Sequence, residues 1–447
     1  MLTQEENQLL CRVEGSAPMG QIMRRHWLPA CLSEEILQAD SEPMPIRLLG
    51  EDLVAWRNSD GAVGVMDRYC PHRRASLQFG RNEDCGLRCL YHGWKVNVLG
   101  DVIEMPSEPA GACTHADGSA AVKHKAYATH EHAGFVWVYM GARLGDAHTA
   151  PAFVPPAWAP HAHSKVSVVK IAIDCNWAQI LEGAIDSAHS SSLHSTDMLP
   201  AKVDTAKATT QTWLRPSTDK APKFAVQPTE YGFKYAAIRR PITHAAANDY
   251  VRISVFVAPS TVLIPPNNLY NVANINVPID DTHTMFHFIA WTADGTGGID
   301  TEAWRKFCGA QVGIDVDKAF HKVRNLANNY LQDRQSMQLG NFTGIRGIPN
   351  QDIAMWETMG PIADRTNDRL GASDQAIVEF RRIMLAAAHH MQKTGQAIGE
   401  HAVASYEQGV RSFEGVVPKS TDWRSLGMPA TPSDTPQAQP QPGPMTQ

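Results

Sequence analysis

The chain reads as an α+β protein, with a strand-rich amino-terminal part followed by a larger mixed part. Three observations lead there. Short strand-like runs alternate with turn signals over residues 44–140, the proline-rich segment APAFVPPAWAP occupies 150–160, and strand and helix periodicities both appear after it. With 447 residues there is room for two or three domains and a sizeable core, and 43% hydrophobic with 19% charged residues is ordinary for a globular protein.

The elements follow in order. IRLLGEDLVAWRNSDGAVGVMD gives strand runs separated by LGED and NSDG, and GFVWVYMG (134–141) is a strand closed by glycine at both ends. With a helical extension before them, these elements make a first domain, 1–150. The proline-rich linker marks its boundary. Beyond it VSVVKIAIDCNW (166–177) is strand-like, NWAQILEGAIDSAH is helical, and 205–292 holds alternating strands such as YVRISVFVA and FHFIAW. Residues 302–337 and 373–395 carry helical periodicity, so a second domain spans 151–426. The end, MPATPSDTPQAQPQPGPMTQ, is poor in large apolar residues, and 427–447 is expected to be a disordered tail.

Composition narrows the function. No run of eighteen apolar residues is present, so no membrane span is expected. The start MLTQEENQLLCRVEG is acidic and polar where a secretion signal would be basic and then apolar, which points to the cytoplasm. A net charge of −6 without a basic run gives nucleic acid nothing to bind. Eight cysteines are too sparse for a disulfide scaffold and favour metal or thiol chemistry.

Two loops concentrate metal ligands. RYCPHRRA supplies Cys70 and His72; RCLYHGW supplies Cys89 and His92. Two cysteines and two histidines suit a structural zinc or a [2Fe–2S] cluster with both histidines on one iron. Zinc sites usually collect Cys-x-x-Cys and His-x-x-His pairs, whereas here each loop mixes the two ligand types, which favours the cluster. Cys11, Cys31, Cys85, Cys113, Cys175 and Cys308 fall outside the pattern and read as free thiols.

A second constellation lies in LEGAIDSAHSSSLHSTD, residues 181–197. On a regular helix Glu182, Asp186 and His189 share a face, but His194 stands about 140° away from His189. The serines at 190–192 are a place for the helix to loosen near 190–193, which would let both imidazoles converge. An open mononuclear iron site needs two histidines and one carboxylate. Asp186 is one candidate for the carboxylate; Asp352, in IPNQDIAMWETMG, is another, and also reads as a helix cap.

Cys-x-His, sixteen residues, then Cys-x-x-His, joined to Asp-x-x-His-x-x-x-x-His after NW…LEG, resembles the Rieske non-haem iron aromatic-ring-hydroxylating oxygenases over roughly residues 20–380. The resemblance implies an all-β Rieske domain followed by a helix-grip-type catalytic domain, an antiparallel sheet with covering helices. It also implies a [2Fe–2S] cluster on Cys70, His72, Cys89 and His92, and a mononuclear Fe(II) on His189, His194 and Asp352. Asp186 would then link a cluster histidine of one subunit to an iron histidine of the next, and Asn176 would stand close to the iron. Homotrimers or stacked trimers are implied, with electrons drawn from NADH by a separate flavin and iron–sulfur reductase.

A substrate beside iron and O2 requires a largely apolar pocket with few polar anchors. Arg252 in DYVRISVFVA shares a strand face with Ser254, opposite Val251, Ile253 and Val255; Arg215 ends TTQTWLR. Two guanidiniums facing such a pocket suit an aromatic dicarboxylate, with Ser187 adding a hydroxyl. Arg239 and Arg240, being adjacent, read as surface residues. The resemblance implies cis-dihydroxylation of phthalate at its 4,5 positions; the alternative is a Rieske monooxygenase or O-demethylase acting on another aromatic carboxylate.

Overall fold

The structure is a computed structural model that describes residues 1–427 apart from 146–149, 157, 159–160, 162, 209–211, 266–269, 293–294, 296 and 401–409. The tail expected over 427–447 lies, apart from Gly427, outside the described residues.

After two helices at the amino terminus, the first part is all-β from Trp27 to Tyr139 apart from short 3-10 turns. A six-stranded antiparallel sheet runs in the order Trp27–Leu32, Phe135–Tyr139, Ala126–His132, Val63–Asp67, Glu51–Arg57, Met44–Leu48. A four-stranded sheet, Arg81–Glu83, Gly86–Arg88, Lys95–Val96 and Val102–Glu104, packs beside it. Val54, Trp56, Met66, Leu87, Val96 and Val102 form a core of their own, and Cys70, Cys89 and Trp94 belong to it. The ligand loops are therefore anchored on a rigid apolar base.

In the second part an antiparallel sheet is ordered Lys165–Ile173, Thr284–Thr292, Asn271–Pro278, Thr261–Ile264, Asn248–Val257, Gly232–Arg239, Lys223–Thr229, with Phe413–Pro418 also pairing to Asn248–Val257. The covering helices are α1 (Gln4–Cys11), α2 (Pro18–Arg24), α3 (Trp177–Ile185), α4 (Thr301–Cys308), α5 (Arg334–Gln338), α6 (Ile348–Thr358) and α7 (Gln375–Thr394). Helix α7 buries Phe380, Met384, Ala387, Ala388 and Met391 along one face, the spacing of an amphipathic helix. Helices α1 and α2 pack against that helix, so the amino terminus leans on the catalytic part. None of the described helices is long and apolar enough to cross a membrane.

Two expectations are corrected. Residues 302–337 are not one helical stretch: α4 ends at Gly309 in the left-handed region (φ 64°), and an irregular segment with Asn329, Tyr330 and Leu331 at positive φ intervenes before α5. The helix carrying the second constellation stops at Ile185, before His189 rather than after it. Asp186 leaves helical geometry (ψ 103°), and its Oδ1 accepts the amides of Ala188 at 2.7 Å and His189 at 3.4 Å, which turns the chain. A short 3-10 turn, His189–Ser191, follows.

Candidate metal centres and substrate cavity

The two cluster loops are built alike. In the first, Cys70 N donates to Ala75 O (2.8 Å) and Arg74 N to Cys70 O (3.0 Å); in the second, Cys89 N donates to Trp94 O (2.8 Å) and Gly93 N to Cys89 O (3.0 Å). Gly93 adopts φ 76°, and a Cβ there would lie 2.7 Å from Pro106, so the tight turn requires glycine. Cys70 and Cys89 are buried, while the half-buried rings of His72 and His92 stand with centroids 4.5 Å apart and His72 stacks on Trp94. Burial, together with the charge of the neighbouring Cys89, pushes the Cys70 thiol up to about 11.

Among the described residues, only His189, His194 and Asp352 bring three metal-ligand atoms within 4.8 Å of one another. The four loop donors thus form a buried thiol pair and a more exposed imidazole pair rather than a one-ion cage. That division suits a two-iron cluster and argues against zinc.

At the second centre the early helix end frees both imidazoles. The Nε2 atoms of His189 and His194 stand 3.2 Å apart, and Asp352 Oδ1 lies 3.5 Å from the first and 3.1 Å from the second. Three ligands about 2.1 Å from one octahedral metal would be separated by about 3.0 Å on a shared face. The donor set fits iron, and a cation between these lone pairs relieves their mutual repulsion. Asp352 sits one turn inside α6, which starts after Gly347 with Pro349 in its first turn, so it caps nothing.

His194 is oriented by a residue the sequence reading did not single out. Gln351 donates through Nε2 to Asp197 Oδ2 (2.7 Å) and Ile345 O (3.0 Å), which leaves its Oε1 to accept from His194 Nδ1 at 2.7 Å. Its position directly before Asp352 was the available signal. Asp186 Oδ2 lies 3.6 Å from His189 Nδ1. Burial works against the Asp186 anion, yet His189 and the two backbone amides hold its carboxyl below the usual range. It is an ionised group behind a ligand histidine.

Asn176 is a correction. It caps α3, accepting from Ala178 N (3.0 Å), and its amide donates to Cys11 O (2.9 Å) and Asp281 O (2.7 Å). It stands at the far end of a helix about 14 Å long, with its polar atoms already engaged. Its role is to fix the helix, not to attend the iron.

A cavity of about 80 Å³ adjoins the triad. Arg252, Ser187, Ser254 and Tyr235 are polar members of its wall, and Phe286 and Phe288 contribute an apolar surface. Arg215 lies just behind, donating to Ser190 Oγ (3.2 Å) and Ser191 Oγ (3.1 Å). Burial, and next the charge of Arg252, push Arg215 down to about 9. Arg239, expected at the surface, is buried, whereas Arg240 is exposed. Strand alternation puts Arg239 on the inner face with Tyr235, and antiparallel pairing adds Arg252 and Ser254 to that face.

Fold and site together define a terminal oxygenase of the Rieske non-haem iron class. Residues 26–124 match the Rieske [2Fe-2S] domain family, residues 138–442 match the LigXa C-terminal domain like family, and the chain belongs to the Rieske oxygenases. It carries a [2Fe–2S] cluster and a mononuclear iron. It is 63% identical to the phthalate 4,5-dioxygenase oxygenase subunit of Pseudomonas putida, over 95% of this chain and 94% of that one. It is 34% identical to the 3-chlorobenzoate-3,4-dioxygenase oxygenase subunit of Comamonas testosteroni, over 95% and 98%. The terminal oxygenase of carbazole 1,9a-dioxygenase from Novosphingobium sp. KA1 shares the fold at a TM-score of 0.52 and 20% identity, covering 85% of this chain and 96% of that one.

Proposed function

We propose that the protein is the oxygenase component of a multicomponent dioxygenase that cis-dihydroxylates phthalate at its 4,5 positions. The observation that carries this is the buried guanidinium of Arg252 in the wall of the cavity that also holds His189, His194 and Asp352. The 63% identity to the phthalate 4,5-dioxygenase subunit supports the same substrate.

The metal groups, when bound, supply oxygen activation at the mononuclear iron with an electron delivered from the cluster. The remaining work belongs to the chain. Cys70, Cys89, His72 and His92 hold the cluster; His189, His194 and Asp352 hold the iron. Gln351 keeps the proton of His194 on Nδ1, so Nε2 faces the metal. Asp186 Oδ2, 3.6 Å from His189 Nδ1, favours a proton on that nitrogen electrostatically. Arg252, Arg215 behind its serines, and the Ser187 hydroxyl anchor the carboxylates, while Phe286 and Phe288 pack against the ring and exclude water.

Asp186, Phe342, Met355 and Met359 also line a more open cavity of about 660 Å³. Those three apolar side chains are exposed, as are Leu90 (63%) and Tyr91 (57%) beside His92. Apolar rims at both places support a trimer in which the cluster loop of one subunit docks over Asp186 of the next. Electrons come from NADH through a separate reductase; solved relatives include an oxygenase in complex with its ferredoxin. A cytoplasmic setting agrees with the supply of NADH and with the free cysteines. The division 1–150 and 151–426 is supported by the separate sheets.

Oxygen uptake with a panel of benzene carboxylates, reductase present and products identified, tests this reading. A cis-4,5-dihydrodiol from phthalate is expected. Formaldehyde release from methoxybenzoates, with phthalate inert, would replace it by an O-demethylase.

A further inference from the structure

Seven arginines are buried among the described residues: Arg24, Arg215, Arg239, Arg252, Arg305, Arg365 and Arg381. Four are paired with carboxylates: Arg24 with Glu51 at 2.6 Å, Arg305 with Glu302 at 2.8 Å, and Arg365 and Arg381 with Glu182 at 2.9 and 2.7 Å. The other three, Arg215, Arg239 and Arg252, have no carboxylate ion pair among the described residues, and each leaves its Nε without a hydrogen-bond partner. Arg252 lines the cavity beside the metal triad, and Arg215 and Arg239 stand behind its wall, bonded to Ser190 and Ser187. An unpaired buried guanidinium is costly, so a fold that pairs four and leaves three together is suited to receive an anion.

We propose that Arg239 is a specificity-determining residue that makes the cavity prefer a dianion over a monoanion. This deepens the dicarboxylate reading above and rests on it. Arg239 is 1% exposed, so its charge has no route to water. Its Nη2 donates to Ser187 O at 2.8 Å, which puts the guanidinium directly behind a serine of the cavity wall. It shares the sheet face of Tyr235 and Arg252. Glu414 is a buried carboxylate on the same neighbouring strands, opposite Arg252 in register, and its Oε2 is taken by Ala206 N at 2.7 Å. The three cations stand against one such anion on these strands, an excess that two substrate carboxylates offset more fully than one does. Arg252 meets the ligand in the wall; Arg239 acts through Ser187 and through its field, as a positioning residue.

The test is isothermal titration of the metal-loaded full chain with phthalate and with benzoate, for wild type, Arg239→Gln and Arg239→Lys. Arg239→Gln is expected to weaken phthalate by about tenfold and benzoate by less than about twofold, and Arg239→Lys to recover most of the difference. Equal weakening of both ligands in Arg239→Gln, or an unchanged phthalate-to-benzoate ratio, overturns the role of Arg239. A wild type without preference for phthalate overturns the dicarboxylate reading itself, which separates the two failures. The visible spectrum of the cluster and the melting temperature report folding. If Arg239→Gln does not fold, Arg239→Met, which fills the space without charge, answers the same question by the same ratio.

Discussion

His194 presents Nε2 to the candidate metal site because Gln351 has a single way to satisfy its amide. Two acceptors, Asp197 and Ile345, take the Nε2 hydrogens, so only an oxygen is left for the imidazole. Replacing Gln351 with leucine frees the ring to rotate or change tautomer. Affinity for the mononuclear iron should fall by about 10–100-fold, with the cluster spectrum unchanged. Chelator competition with iron analysis measures it, and unaltered retention of iron would contradict the orienting role. At this scale the sequence revealed what spacing alone can express. The two Cys–His loops and the paired histidines stood out because metal donors recur within a turn. Gln351 did not, since an amide next to a carboxylate has no distinguishing pattern until its acceptors are known. Arg239 was misjudged for a different reason. Adjacency puts Arg239 and Arg240 on opposite faces, so one of the two points inward, and alternation with Tyr235 shows that it is Arg239.

The triad depends on how closely α3 approaches α6, since His189 and His194 follow the first helix and Asp352 lies within the second. Gly183 makes that approach possible: a Cβ there would fall 2.0 Å from Trp356 Nε1. Gly183→Ala should cost about 1–3 kcal/mol through overpacking and lower the mononuclear iron content, because relief requires the helices to separate. Thermal melting with iron analysis checks both, and full iron loading at wild-type stability would contradict the close-packing account. One residue earlier, Glu182 ties α3 to Arg365 and to Arg381 of α7. Burial opposes its charge, but the two guanidiniums hold its carboxyl below its ordinary 4.5. A group depressed in the folded state contributes stability above its unfolded value and loses it as pH falls below. Glu182→Gln should therefore destabilise by roughly 3–5 kcal/mol at neutral pH and flatten the acid limb of the stability curve, as read by denaturant titration from pH 7 to well below 4.5. The helix was legible from its apolar periodicity. Its end was not, because Asp186 closes it with side-chain bonds to the amides of 188 and 189 that helix propensity does not encode.

At the scale of the whole molecule, the two candidate metal centres occupy parts with separate sheets, and the ionised Asp186 lies on the larger, more open cavity. If the electron crossed within one chain, a subunit lacking the cluster and one lacking the iron would stay inactive when combined. If it crosses between subunits through Asp186, the two defects complement each other. His92→Ala removes a proposed cluster ligand and Asp352→Ala a proposed iron ligand, and each variant alone should lack turnover. Co-expressed with different tags and purified through both, the mixed trimers should regain a fraction of wild-type oxygen consumption, since some intact clusters then face intact iron sites across an interface. Adding Asp186→Ala to the chain that retains its iron should abolish the recovered activity while leaving the iron content as it was. Recovery that survives this change would place the electron route elsewhere, and no recovery in correctly assembled mixed trimers would confine it to one chain. The exposed apolar rims predict a further dependence: if the contact that joins the subunits also brings the cluster loop to Asp186, charge at Leu90 or Met359 should weaken assembly and complementation together.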